Sequence, residues 1–199
     1  MPRVVDHDER RRQIATAVSD IASTRGLGDV SFREVAAQAG VSVSLVQHYF
    51  GDKANLLQTT LEIQSEAMNA YIAERLAALG ADPDPIIVMR TVAHAFLPID
   101  DVSRRSMLVY HGFAAAALTD PALRGSEMFT NGRGLIQFFA TQLAHIGNDD
   151  DPERCVDPAT DATGLLSLLL GLSIAILLEQ TTPTEATEVL DRHLDRLTD

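Results

Sequence analysis

Residues 31 to 53, SFREVAAQAGVSVSLVQHYFGDK, carry enough local signal to decide how this stretch of the 199-residue chain folds. Ser31 followed three residues later by Glu34 is the pattern of a capping box. In such a box the hydroxyl accepts from the Glu34 amide and the carboxylate reaches back to the Ser31 amide. A helix starts there. Phe32, Val35, Ala36 and Ala39 recur at helical spacing on one face, and the small alanines leave room for a second helix to approach. Gly40 ends the helix, since glycine enters the left-handed backbone region that a helix C-terminus and a sharp turn require. Val41 plugs the turn into the core, and Ser42 can cap a second short helix. Gly51, Asp52 and Lys53 then supply a stop and a new cap, so two short helices joined by a tight turn are followed at once by a third.

In the second helix Val46 and Phe50 lie four apart and face the core, which leaves Val43, Ser44, Gln47 and His48 outside near its N-terminal end. These groups suit base edges. Gln pairs with adenine, Ser serves several donors or acceptors and a Val methyl meets a thymine methyl, while Tyr49 and Lys53 can bond phosphates.

With those residues in view, the segment resembles the helix-turn-helix of the tetracycline-repressor family of bacterial regulators. The resemblance rests on the capped helix, the Ala39-Gly40-Val41-Ser42 turn, the His48-Tyr49-Phe50-Gly51 end of the second helix and Lys53 opening the next, all at the family's spacing. Gln47 departs from it, because many members carry tyrosine there, so a relative's base preference does not transfer. The resemblance implies DNA contacts at Arg10, Ser31, Arg33, Ser42, Val43, Ser44, Leu45, Gln47, His48, Tyr49 and Lys53. It also implies an all-α fold of about nine helices. An N-terminal three-helix DNA-binding domain over residues 1–52 would precede a ligand-binding and dimerisation domain over residues 53–199. The expected partners are a double-stranded operator with an inverted repeat, a second copy of the chain and a small-molecule effector that releases a repressor from DNA. No cofactor is expected.

Composition bounds the rest. A 46% hydrophobic content is ample for a buried core. One cysteine excludes an internal disulfide framework and fits a reducing cytoplasm, so Cys155, set among Asp151, Glu153 and Asp157, reads as a tolerated loop residue. The N-terminal segment has arginines, Arg3 among them, but carries Asp6, Asp8 and Glu9 rather than an apolar stretch, so no signal peptide is expected. The longest apolar run, Leu165 to Leu178, has 14 residues, too short for a membrane span. A net charge of −12 opposes binding to nucleic acid until its distribution is considered. Residues 1 to 55 hold seven basic and seven acidic groups, whereas residues 56 to 199 hold 9 basic and 21 acidic. The N-terminal module is therefore neutral, and specific binding must lean on a few placed arginines. Such binding should weaken steeply with salt.

Along the chain the patterns read as helices over about 8 to 25, 53 to 79, 84 to 97, 101 to 117, 120 to 146, 158 to 180 and 183 to 197, in addition to the two short ones. Prolines stand at or near the junctions. Asn148 to Pro152 reads as a solvated acidic connector that lacks the glycine and terminal glutamate of a calcium loop, so no metal is expected. Residues 165 to 178 are apolar nearly all round, the mark of a helix covered on several sides. The final helix opens with a second capping box, Thr182 and Glu185, with Pro183 in the first helical position. Together these two helices are expected to form half of a four-helix dimer interface through Leu165, Leu168, Leu172, Ile176, Leu190, His193, Leu194 and Leu197. The alternative is that they simply close a monomeric core. The closing LDRHLDRL, Leu190 to Leu197, resembles the C-terminal domain type of regulators of betaine synthesis.

An effector pocket would draw on Met89, His94, Phe96, Met107, Tyr110, His111, Phe113, Phe129, Gln137 and Phe138. Most are ordinary core types, whereas His94, Tyr110 and His111 need polar partners if buried. An enzyme is disfavoured, because the six histidines lack zinc-ligand spacing and no phosphate loop or nucleophile motif appears. A helical protein-protein adaptor is the better rival, since helix-turn-helix pairs also serve as plain supersecondary structure. An adaptor, however, has no need of the outward polar face between residues 43 and 49.

Overall fold

The computed structural model describes residues 7–146 and 157–198, and among the described residues there is no strand. The described residues form ten α-helices in order: α1 His7–Arg25, α2 Phe32–Ala39, α3 Val43–Phe50, α4 Lys53–Ala77, α5 Pro85–His94, α6 Asp101–Ala117, α7 Pro121–Arg124, α8 Glu127–Ile146, α9 Pro158–Leu177 and α10 Pro183–Thr198. A short 3₁₀ turn, Leu27–Asp29, joins α1 to α2. Arg3, the Asn148 to Pro152 connector and Cys155 lie outside the described residues.

The count exceeds nine because the single helix expected over 120 to 146 is two. Asp120 caps α7 by accepting from the Ala122 amide, and Gly125 ends it with its NH on the Pro121 carbonyl. The chain restarts at Glu127. The fifth helix also stops early, at His94 rather than 97. The amides of Ala95, Phe96 and Leu97 each reach a carbonyl three residues back, a tightened last turn ahead of Pro98.

The chain forms two compact units. The first comprises Met1–Ala67 and Leu108–Phe129, the second Met68–Met107 and Thr130–Asp199. The expected division between residues 52 and 53 falls inside the first unit. Its core gathers Ile14, Val18 and Ile21 of α1, Val35 of α2, Val46 and Phe50 of α3, Leu56 and Leu61 of α4, and Val109 and Phe113 of α6. Helices of eight residues are unstable alone, so α2 and α3 exist because this core covers their apolar faces, at about 1.5–3 kcal/mol per large side chain. In the second unit Met89, Val92, Leu97, Phe139, Leu143, Leu165, Leu169, Leu190 and Leu194 make a separate core. The 20-residue α9 is long and apolar enough to cross a membrane by length and composition, more than its 14-residue run suggested. Its Ala162, Leu165, Leu169, Ser173 and Ile176 are nonetheless buried within this unit.

Candidate nucleic-acid interface and associated sites

The turn between α2 and α3 is built as its residues require. Gly40 sits in the left-handed region at φ 66, the Val41 amide reaches the Ala36 carbonyl at 2.9 Å, and the Gly40 amide reaches Ala37. Ser42 caps α3 by accepting from the Leu45 amide at 3.2 Å, and its oxygen also lies 3.0 Å from Ser44 Oγ. At the start of α2 only half of the expected capping box forms. Ser31 Oγ accepts from the Glu34 amide at 3.2 Å, but the Glu34 carboxylate takes Arg25 Nη1 at 2.8 Å instead of the Ser31 amide. An ion pair to α1 competes with the local bond and wins. Gln13 adds a second brace, donating to the Ala39 carbonyl at 2.8 Å.

On α3, Val46 and Phe50 are buried, while Val43, Ser44, Gln47 and His48 are exposed, the division that spacing four apart predicts. Leu45 and Tyr49 are half-buried. The Tyr49 hydroxyl lies 2.9 Å from His7 Nδ1, so the phosphate role expected of it requires that bond to open or be shared. Arg33 and Lys53 are exposed and have no side-chain partner among the described residues. Arg10 is half-buried and donates to Gln13. Lys53 opens α4 beside Asp52, whose carboxylate caps that helix through the Asn55 amide at 2.8 Å.

The residues expected to hold an effector divide between the two units. In the first unit Phe113 is fully buried core, whereas Tyr110, His111 and Phe129 are half-buried. The Tyr110 ring lies 5.4 Å from His111 and 5.9 Å from Phe129, centroid to centroid. Burial pushes the Tyr110 phenol up and the His111 imidazole down, in each case favouring the uncharged form. In the second unit Met89 and Met107 are buried, Phe96 and Phe138 half-buried, and Gln137 exposed on α8. His94 has its Nε2 2.8 Å from Asp191 Oδ1, and the same oxygen accepts from Arg90, so this histidine belongs to an ion cluster joining α5 to α10. A cleft of about 340 Å³ in the second unit is lined by Arg104, Ile176 and residues of the α9–α10 turn, and by none of the ten candidates.

Comparison with known proteins agrees with the geometry of α2 and α3. The description "Bacterial regulatory proteins, tetR family" matches residues 15–60, and "BetI-type transcriptional repressor, C-terminal" matches residues 85–199. The chain belongs to the tetracycline-repressor family. The HTH-type transcriptional regulator BetI of Ectopseudomonas mendocina is 32% identical over 172 residues, 86% of this chain and 84% of the relative. A transcriptional regulator from Rhodococcus is 27% identical with a TM-score of 0.80, covering 94% of this chain and 95% of that one. A Saccharomonospora viridis regulator in complex with choline has the same fold at 19% identity, with a TM-score of 0.80 over 94% of this chain and 96% of its own. This family member is thus a DNA-binding transcriptional regulator and not an enzyme.

The residues expected to face a second subunit divide by burial. Leu165, Ile176, Leu190 and Leu194 are buried, because α9 and α10 pack those faces into the core of their own unit. Leu168, Leu172 and Leu197 are half-buried against the same core. His193 is half-buried, with Nε2 enclosed and without a hydrogen-bond partner among the described residues. The open faces carry other residues: Ile174 and Leu178 on and just after α9 are 43% and 61% exposed, and Val189 on α10 is 48% exposed. Gly164, Ser167 and Gly171 continue the open stripe of α9. The apolar run signals coverage on more than one side but not which side is which. Reasoning from sequence also missed Asp100, although Asp100 followed by Ser103 ahead of α6 is a legible cap pattern.

Proposed function

We propose that the protein is a repressor that binds an inverted-repeat operator as a homodimer and is released by a small-molecule effector. The observation that carries this is the outward face of α3. Ser44, Gln47 and His48 stand exposed while Ser42 ties down the N-terminus of that helix. Gln47, Ser44 and His48 read base edges, Val43 meets a thymine methyl, and Arg10, Arg33, Tyr49, Lys53 and the hydroxyls of Ser31 and Ser42 serve the backbone. Two heads are needed because each is electrically neutral over residues 1 to 55 and binds weakly alone.

The second copy covers the open stripe of α9 with Ile174, Leu178 and Val189, where small residues allow close helix packing. Effector entry shifts α4, changes the separation of the two α3 helices and lowers operator affinity, and operator DNA weakens effector binding by the same factor. Choline, held by the Saccharomonospora protein, is the first compound to assay, and the Tyr110 and Phe129 rings offer faces to such a cation. Such a regulator acts in the cytoplasm, where its operator lies.

The test is fluorescence anisotropy on a duplex that the protein selects from genomic DNA, with and without Gln47→Ala. Tight binding that relaxes at defined base pairs in the variant supports the reading. Equal affinity for all duplexes in both proteins overturns it.

A further inference from the structure

The helix α4 is anchored unevenly. Its buried residues, Leu56, Leu57, Thr60 and Leu61, all lie near its start, and from Met68 onward none is fully buried. Ile72 and Leu76 pack in part against the core of the second unit. The other fastening of this end is polar. Tyr71 Oη donates to Asp100 Oδ2 at 2.7 Å, Arg75 Nη2 donates to the same oxygen at 3.1 Å, and the guanidinium lies 3.6 Å from the Tyr71 ring centroid. The opposite oxygen of Asp100 accepts from the Ser103 amide at 2.7 Å and from its hydroxyl at 2.9 Å. One carboxylate therefore caps α6 and holds the end of α4 at once. Burial opposes its charge, but the Ser103 amide, the Tyr71 hydroxyl and Arg75 together hold its pKa below the ordinary Asp value. Hydrogen bonds weaken within a fraction of an ångström, so a shift of about 1 Å in the first turn of α6 breaks both bonds to α4.

We infer that Asp100 is a positioning residue, a latch that ties the second half of α4 to the first turn of α6 and holds the protein in its DNA-binding setting. Movement of that turn releases residues 68 to 77 and weakens operator binding. The inference rests on the reading of α4 as the element that carries the effector signal.

Two variants isolate the latch with little risk to folding. Tyr71→Phe removes one hydroxyl and keeps the ring, and Asp100→Asn keeps an acceptor for the Ser103 amide while losing the charge. Glu74→Gln, on an exposed position of the same helix, is the control. Backbone amide exchange and operator affinity on the selected duplex are measured for each. A charge-assisted bond at a site open to solvent on one side predicts roughly fivefold faster exchange over residues 68 to 77 in both variants. Exchange in α2 and α3 stays unchanged, operator affinity falls about threefold, and the double variant is no worse than Asp100→Asn, since both act through one contact. Wild-type exchange in either variant overturns the latch, as does faster exchange with unchanged or tighter operator binding. If the wild-type protein selects no DNA, the regulator reading fails by itself, and the exchange measurement still decides whether the latch exists.

Discussion

Replacing Gly40 by alanine tests the turn on which the interface depends. The residue sits at φ 66 and ψ 35, and an added methyl would meet no atom within 4 Å, so the change introduces no clash. What remains is the local cost of an L-residue in the left-handed region, about 1–2 kcal/mol. Alanine returns about 0.4–1 kcal/mol by restricting the unfolded chain. The net loss is about 1 kcal/mol, roughly a fivefold change in the folding equilibrium. Asparagine enters the left-handed region more readily, so the stability order is Gly, Asn, Ala. Urea unfolding at fixed protein concentration, followed by circular dichroism, reads this as a lower midpoint with an unchanged slope. An alanine variant as stable as the wild type would show that the turn is not held as described. A loss beyond about 3 kcal/mol would mean that the site is packed and not open.

Lys53→Ala should weaken binding to every sequence and reduce the salt slope by about one, whereas Gln47→Ala should also relax base preference, both read by anisotropy across a salt series. Leu178→Asp, at a position 61% exposed, should leave the helical content unchanged and yield a monomer in analytical ultracentrifugation; a persistent dimer would place the interface elsewhere. The pH dependence of unfolding has two limbs. Asp100 and Asp191 are held below their ordinary values, Asp191 by His94 and Arg90 against the effect of burial, so their contribution is present above the ordinary Asp range and is lost as the pH falls through the depressed values. Tyr71 is raised to about 12 by burial and by its bond to Asp100. Its contribution is therefore complete below pH 10 and lost between 10 and about 12, and Tyr71→Phe should flatten that alkaline limb.

The α2–turn–α3 unit was legible because each signal in it is local. Ser31, Gly40, Ser42 and the four-residue spacing of Val46 and Phe50 act within one or two turns of themselves. The Thr182 and Glu185 box closed in full for the same reason, with Glu185 accepting the Thr182 amide at 2.8 Å and Thr182 Oγ1 accepting the Glu185 amide at 3.2 Å. Glu34 shows where local reasoning stops, since its carboxylate goes to Arg25 on another helix. The same limit governs α9. A helix apolar on all sides signals that several faces are covered, but whether Leu165 or Ile174 meets the chain's own core depends on packing that no short pattern encodes. His94 looked available for an effector until α10 brought Asp191 within 2.8 Å, across 97 positions of sequence. The role of Asp100 was overlooked because its two donors on α4, Tyr71 and Arg75, lie 29 and 25 residues earlier.

The central claim is that two copies of α3 read one operator. Selection of bound fragments from genomic DNA, followed by sequencing, tests it most directly. The account predicts enrichment of an inverted repeat with half-sites about one helical turn apart, lost when Gln47, Ser44 and His48 are all replaced by alanine. Recovery of unrelated fragments with no shared repeat, or an unchanged site from the triple variant, would contradict it.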